Sequence, residues 1–236
     1  MIDRQLNYGR AIIARYLQQS APYQTVLDIG AGTGTDLKAA RAVFPNCTAI
    51  AIEVYEPYVN QLQQAGFKVI RANIEKDQLP LDDASIEVII ANQILEHTKE
   101  VFWIFHEISR VLSVKGHLII GVPNLAALHN RILLMLGSQP SPLKVHSAHV
   151  RGFTKGGLMT FLNECFPCGY VLKEFRGSNF YPFPPFIAQP LARIFPNLAW
   201  GIFFLLQKVE PYQKEFLEYP INQKLETNFW LGQETN

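Results

Sequence analysis

Residues Thr25-Val-Leu-Asp-Ile-Gly-Ala-Gly-Thr-Gly34 decide the reading of the fold: an apolar run that carries one carboxylate turns abruptly into alternating glycines. Thr25 to Gly30 suits a short buried strand, and Asp36 to Phe44 has helical patterning that Pro45 stops. Glycines 30, 32 and 34, with the small Ala31 among them, form the turn between the two, where a backbone without Cβ atoms lets a ligand approach closely. In open α/β sheets this carboxyl edge is where ligands bind. The spacing overlaps the dinucleotide fingerprint Gly-x-Gly-x-x-Gly, yet the last glycine of that pattern would fall on Thr35. Asp28 argues the same way, because a carboxylate aimed into the turn repels a pyrophosphate and suits an ammonium or a sulfonium.

Outward from this turn the chain alternates strands and helices. Thr48 to Glu53 reads as a second strand, Pro57 to Ala65 as a helix, Phe67 to Ala72 as a third strand and Ile86 to Ala91 as a fourth. Val101 to Leu112 has helical spacing, Gly116 breaks it, and His117 to Val122 supplies a fifth strand closed by Pro123-Asn124. Thr154 is placed to cap a helix running to Phe166, and Tyr170 to Phe175 follows as a strand. Upstream, Leu6, Ile13, Tyr16 and Leu17 fit one helix ended by Pro22. Apolar strands alternating with helices require a parallel sheet covered on both faces, a doubly wound α/β fold.

Polar residues stand where these strands end. Glu53, at the end of the second strand, can accept both hydroxyls of a ribose. Asn73 can hydrogen-bond an adenine amino group while Ile74 packs on the ring. Asn92 and Gln93 offer acceptors and donors for an amino-acid moiety. Four successive strand ends thus point at one nucleoside-like ligand.

Val26 to Gly34, Glu53, Asn73-Ile74 and Ala91-Asn-Gln-Ile-Leu-Glu-His97 resemble the class I S-adenosylmethionine-dependent methyltransferases, and most of all the small-molecule group that includes the ubiquinone-biosynthesis O-methyltransferases. Pro123-Asn124 and His149-Val-Arg-Gly-Phe-Thr154 resemble that group as well, so the likeness runs from about Val26 to Phe175. One departure is Asn73, where the family more often has Asp; an amide accepts the same hydrogen bond. The resemblance implies S-adenosyl-L-methionine as cofactor and a Rossmann-like, mostly parallel seven-stranded sheet with an antiparallel C-terminal hairpin, for which Tyr170 to Phe175 and Ala199 to Val209 are the candidates. It also implies methyl transfer to a small acceptor by in-line displacement. The contrasting reading is a non-catalytic S-adenosylmethionine-binding or scaffolding protein. A nicotinamide-dependent oxidoreductase is opposed by Asp28 and Thr35.

Methyl transfer needs collinear positioning above all, and a base only where the acceptor must lose a proton. His97 and His149 are the candidate catalytic residues, with His146 near the second. His129, His146 and His149 are loosely spaced with no Asp or Glu between them, so no metal site is expected. Cys165-Phe-Pro-Cys168 has C-x-x-C spacing, but a single pair in a helix-to-strand connection is expected to be buried packing.

Composition narrows the rest. With 21 basic and 20 acidic residues in 236, the chain has no basic footprint for nucleic acid. Three cysteines fit a reducing, cytoplasmic setting, and the N-terminal stretch is not patterned as a signal peptide. The expected organisation is an N-terminal helix (1–24), a cofactor-binding core (25–176), and a C-terminal apolar segment, last strand and tail (177–236). Between Gly177 and Gln207 the one charged residue is Arg193, and five prolines interrupt the run. Those breaks oppose a spanning helix and favour a cover for the sheet edge or pocket, peripheral membrane contact through 177–207, or contact with a partner. A hydrophobic or lipid-linked acceptor would suit such a cover.

Overall fold

The computed structural model describes residues 4–226 and 228–232. Residues 1–3 of the expected N-terminal segment, and residue 227 with 233–236 of the expected tail, lie outside the described residues. The elements in chain order are α1 (Arg4–Asn7), α2 (Arg10–Ser20), β1 (Thr25–Ile29), α3 (Thr35–Val43), β2 (Thr48–Ile52), α4 (Glu56–Gln64), β3 (Lys68–Ile70) and β4 (Ile86–Asn92). After a 3₁₀ turn at Leu95–His97 come α5 (Val101–Val111), β5 (Leu112–Pro123), α6 (Leu128–Met135), α7 (Lys155–Cys165), β6 (Tyr170–Ser178), α8 (Pro185–Ile194), β7 (Gly201–Lys208) and α9 (Glu215–Asn222).

Seven strands form one sheet in the order β3-β2-β1-β4-β5-β7-β6. The pairs from β3 to β5 are parallel, and β7 runs antiparallel between β5 and β6. This is the expected mixed sheet, although the antiparallel pair is joined by a connection containing α8 rather than by a tight turn. Val26, Leu27, Asp28 and Ile29 of β1 are all buried, as a strand covered on both faces requires. One face packs Ile13 and Leu17 of α2 and Leu37 of α3 on Val26, Val88 and Phe203. The other packs Phe102, Phe105 and Ile108 of α5 with Leu158 and Leu162 of α7 on Leu27, Ile89 and Leu118.

Three boundaries depart from the sequence reading. The N-terminal helix is broken at Gly9, which has φ +57°, and a Cβ there would lie 2.3 Å from the Phe203 ring. The left-handed kink directs Tyr8 toward the sheet edge instead of along a straight helix. Secondly, Gly116 does not end an element: β5 runs through it from Leu112, with Lys115 at φ 70° and a register shift opposite Ile86 and Val88, which is a β-bulge. Thirdly, the chain after β7 forms a further helix, α9. Phe216 of α9 is fully buried against Phe105, Phe161 and Phe166, so α9 covers α5, and burying a side chain of that size contributes about 1.5–3 kcal/mol. Thr154 caps α7 as expected, accepting from the Gly157 backbone N–H at 3.0 Å.

The 177–207 segment contributes α8 and β7, and its inner residues Phe180, Ala188, Ala192 and Ala199 make a small core of their own. Its outer side chains Tyr181, Phe186, Ile194 and Phe195 are exposed, as are Ile132, Leu134, Met135 and Leu136 of α6 and its end. Among the described residues no helix is long and apolar enough to cross a membrane.

Candidate active site

The carboxyl ends of β1 and β4 open onto a cavity of about 350 Å³ lined by Asp28, Gly30, Ala31, Gly32, Asn92 and Gln93, together with Tyr8, Arg10, Thr33, Thr35, Asp36 and Tyr58. That volume suits a small molecule. Gly32 has φ +53° with nothing within 4 Å of a built Cβ, so its backbone faces free space that a side chain would occupy. Gly34 serves packing instead: a Cβ there would sit 2.7 Å from Leu62. Glu53 accepts from the Gly32 N–H at 2.9 Å with one oxygen, and from Val54 N–H and Tyr55 N–H with the other. It thereby ties the glycine turn to the end of β2.

Asp28 is 3% exposed, and burial, then the nearby Asp36, holds its carboxyl well above the usual range despite Arg10. Arg10 pairs with Asp36 at 2.5 Å, leaving a site in which acids outnumber bases. The Asn92 amide donates to Asp36 Oδ2 at 3.0 Å and to the Tyr8 carbonyl at 3.1 Å, fastening the kinked N-terminus over the cavity. Asn92 Oδ1 and Gln93 Nε2 are buried without partners. Orphaned acceptor and donor atoms beside excess carboxylate suit a ligand that brings an ammonium, a carboxylate and a second positive charge.

Asn73 and Ile74 are not among the residues that line this cavity. Asn73 Oδ1 accepts from Glu75 N–H at 3.0 Å, closing a local turn, and Ile74 packs against the core under α5. Turn chemistry therefore competes with the expected adenine contact. Conversely, Tyr8, Arg10 and Asp36 escaped the sequence reading. Asp36, in the first turn of α3, had a signal in its nearness to Gly34; Tyr8 and Arg10 had none.

On the 3₁₀ turn after β4, Glu96 and His97 meet His149, and the two imidazoles stand edge to face with centroids 4.7 Å apart. Glu96 is 2% exposed, its Oε2 has no partner, and burial pushes its carboxyl up to about 7. Burial, and then His97, lowers the pKa of His149, so that imidazole is neutral near pH 7. The Glu96 carbonyl accepts from Val150 N–H at 2.9 Å and Arg151 N–H at 3.3 Å, and Arg151 donates to the Lys99 carbonyl at 2.9 Å. These bonds hold the His149 loop onto the turn. His129 meets Tyr181 edge to face and His146 is exposed, so neither joins the pair. Cys165 is buried as expected, whereas Cys168, at φ 56° in the turn after α7, is exposed.

A larger cavity, about 580 Å³, lies between α2, β6 and α8 and shares Arg10 with the first. Its Arg15 and Arg176 are both paired with Glu174, and neither imidazole of the His97–His149 pair lines it.

Residues 27–120 match the sequence model of a family described as "Methyltransferase domain". The matched segment runs from β1 into β5 and holds the glycine turn, Glu53, Asn92 and Gln93. A "probable S-adenosylmethionine-dependent methyltransferase" of Mycobacterium tuberculosis is 34% identical over 116 residues, covering 45% of this chain and 39% of that protein. The arsenite methyltransferase of Halobacterium salinarum is 30% identical over 106 residues, 42% of this chain and 27% of its own length. The matches thus span well under half the length of these relatives. In fold, the chain is similar to a SAM-dependent methyltransferase from Aquifex aeolicus, with 18% identity, a TM-score of 0.56, and coverage of 89% of this chain and 94% of that one. It is likewise similar to one from Archaeoglobus fulgidus, with 14% identity, a TM-score of 0.55, and coverage of 86% and 97%. S-adenosylmethionine is the cofactor of this domain, and the excess carboxylate and orphaned Asn92 and Gln93 atoms fit its charges.

Proposed function

We propose that the chain moves a methyl group from S-adenosylmethionine to a small-molecule acceptor bound on the side of Glu96, His97 and His149. The observation that carries the reading is the cavity in which buried Asp28, unpartnered Asn92 Oδ1 and unpartnered Gln93 Nε2 converge under the open backbone of Gly32. When bound, the cofactor supplies a methyl group on a sulfonium, already activated for displacement. Asp28 balances positive charge, Asn92 Oδ1 accepts from an ammonium, and Gln93 Nε2 donates to a carboxylate. Glu53, released from Val54 and Tyr55, would accept the ribose hydroxyls, and Asn73 with Ile74 would flank the adenine after turning from their local contacts. Gly30, Ala31 and Gly34 shape the backbone under these groups.

His97 and His149 are the candidate catalytic residues: a neutral imidazole can take the proton of an acceptor hydroxyl or hold the acceptor in line. The exposed apolar side chains of α6 and 181–195 support a hydrophobic or lipid-linked acceptor and peripheral membrane contact, and the three free cysteines support a cytoplasmic setting. A likeness to ubiquinone-biosynthesis O-methyltransferases points the acceptor screen to phenols first.

Calorimetric titration with S-adenosylhomocysteine, with NAD as control, tests the reading. Micromolar binding of the first alone, followed by turnover on an acceptor panel, supports it. Binding without turnover favours a non-catalytic cofactor-binding protein, and no binding of either sinks both.

A further inference from the structure

We infer that Glu96, His97 and His149 form a binding site for one divalent transition-metal ion. Among the described residues these three side chains offer ligand atoms that all lie within 4.8 Å of one another. A tetrahedral ion with bonds of about 2.0–2.1 Å needs ligands about 3.4 Å apart, so the set lies within about 1.4 Å of that spacing.

Each ligand is supported in the way metal sites require. His97 Nδ1 lies 3.3 Å from the Ala148 carbonyl, which fixes the tautomer and leaves Nε2 as the free lone pair. His149 Nδ1 is buried without a hydrogen-bond partner. Glu96 Oε2 is likewise buried and unpartnered. Two buried polar atoms without partners on residues of one cluster are costly unless something satisfies them, and an ion does so for both at once. The backbone bonds from Val150 and Arg151 to the Glu96 carbonyl clamp the loop that brings His149 to the turn.

Two imidazoles and one carboxylate suit zinc, manganese, cobalt or iron(II) better than magnesium or calcium, which prefer all-oxygen sites. Three protein ligands leave at least one position for water or an acceptor oxygen. With the ion bound, His97 and His149 hold it and the acceptor and take no proton through the ligating nitrogens; what the ion does for an acceptor rests on the proposed function, and that it binds does not.

The test is titration of chelator-treated protein with Co²⁺ and Zn²⁺, read by calorimetry and by the visible d–d bands of cobalt, with S-adenosylhomocysteine titrated into the same samples. One equivalent of metal at micromolar or tighter affinity is expected for the wild type. Glu96→Gln and His149→Ala should each weaken it by about a hundredfold or more, since losing even a supporting partner costs about 10–100-fold. His146→Ala, at an exposed neighbour, should leave it unchanged. Absent stoichiometric binding, or equal affinity in the variants that still bind S-adenosylhomocysteine, overturns the site. Metal binding without S-adenosylhomocysteine binding would keep the site and remove the methyltransferase reading.

Discussion

Asp28, Gly32, Asn92 and Gln93 reach their cavity from the ends of two strands that lie side by side, whereas Glu96 and His97 meet His149 only after about 50 residues of intervening chain. On the cofactor side each polar group sits at a position that the sheet dictates: β1 pairs with β4 in register, so Asp28 faces Ile90, two residues before Asn92. On the side proposed for the acceptor the geometry depends on a loop held by two backbone bonds to the Glu96 carbonyl. The first region is a consequence of the fold. The second is a graft upon it, and folds of this kind change chemistry by such grafts.

That contrast predicts separable phenotypes. Gly32→Val should abolish measurable S-adenosylhomocysteine binding in calorimetry, because the branched side chain fills the free space and is strained at positive φ; the strain costs about 1–3 kcal/mol of stability. Retained affinity would break the claim that this backbone is the approach face. His149→Ala should lower turnover about 10²–10⁴-fold once an acceptor is found, with S-adenosylhomocysteine affinity unchanged within about twofold. A parallel loss of cofactor affinity would erase the distinction between the two sides. Glu53→Ala should weaken S-adenosylhomocysteine binding by about 1.5–3 kcal/mol, roughly 10- to 150-fold in Kd. Unchanged affinity would mean that Glu53 only fastens Gly32 to β2.

The smallest effect on function belongs to Lys208, at the end of β7, whose Nζ donates to the Ser109 and Leu112 carbonyls at 2.6 and 2.7 Å beyond α5. Burial pushes its pKa down to about 8. Between pH 8 and the ordinary lysine value near 10.5 the unfolded chain therefore binds more protons than the folded one, so stability rises with pH across that window. Lys208→Met should flatten this rise in Tm, followed by circular dichroism at pH 7.5, 9 and 10, while leaving cofactor affinity untouched. A persistent rise would assign it to another group.

The parallel strands were legible because a strand buried on both faces must be nearly continuously apolar: Val88 to Ala91 is, and Val26 to Ile29 departs from it only at Asp28. The glycine turn was legible because three alternating glycines directly after a strand mark a backbone that takes positive φ without steric cost, as Gly30, Gly32 and Gly34 do. Gly116 misled: glycine breaks helices, but beside a bulge it continues β5. The C-terminal α9 was hidden because its anchor is tertiary, a single Phe216 inserted among the aromatics of α5 and α7.

Sequence alone determined the sheet, the turn and the strand-end residues Asp28, Asn92 and Gln93, since periodicity and local backbone demands fix which residues stand at a strand end. Tertiary structure decided what no spacing encodes: Tyr8 and Arg10 arrive at the cavity through a kink at Gly9, Asn73 turns to the backbone N–H of Glu75, and a buried glutamate joins two histidines far apart in sequence. The physical reason is that strand periodicity acts over a few residues, whereas loop closure joins groups of any separation for a cost that grows only with the logarithm of loop length.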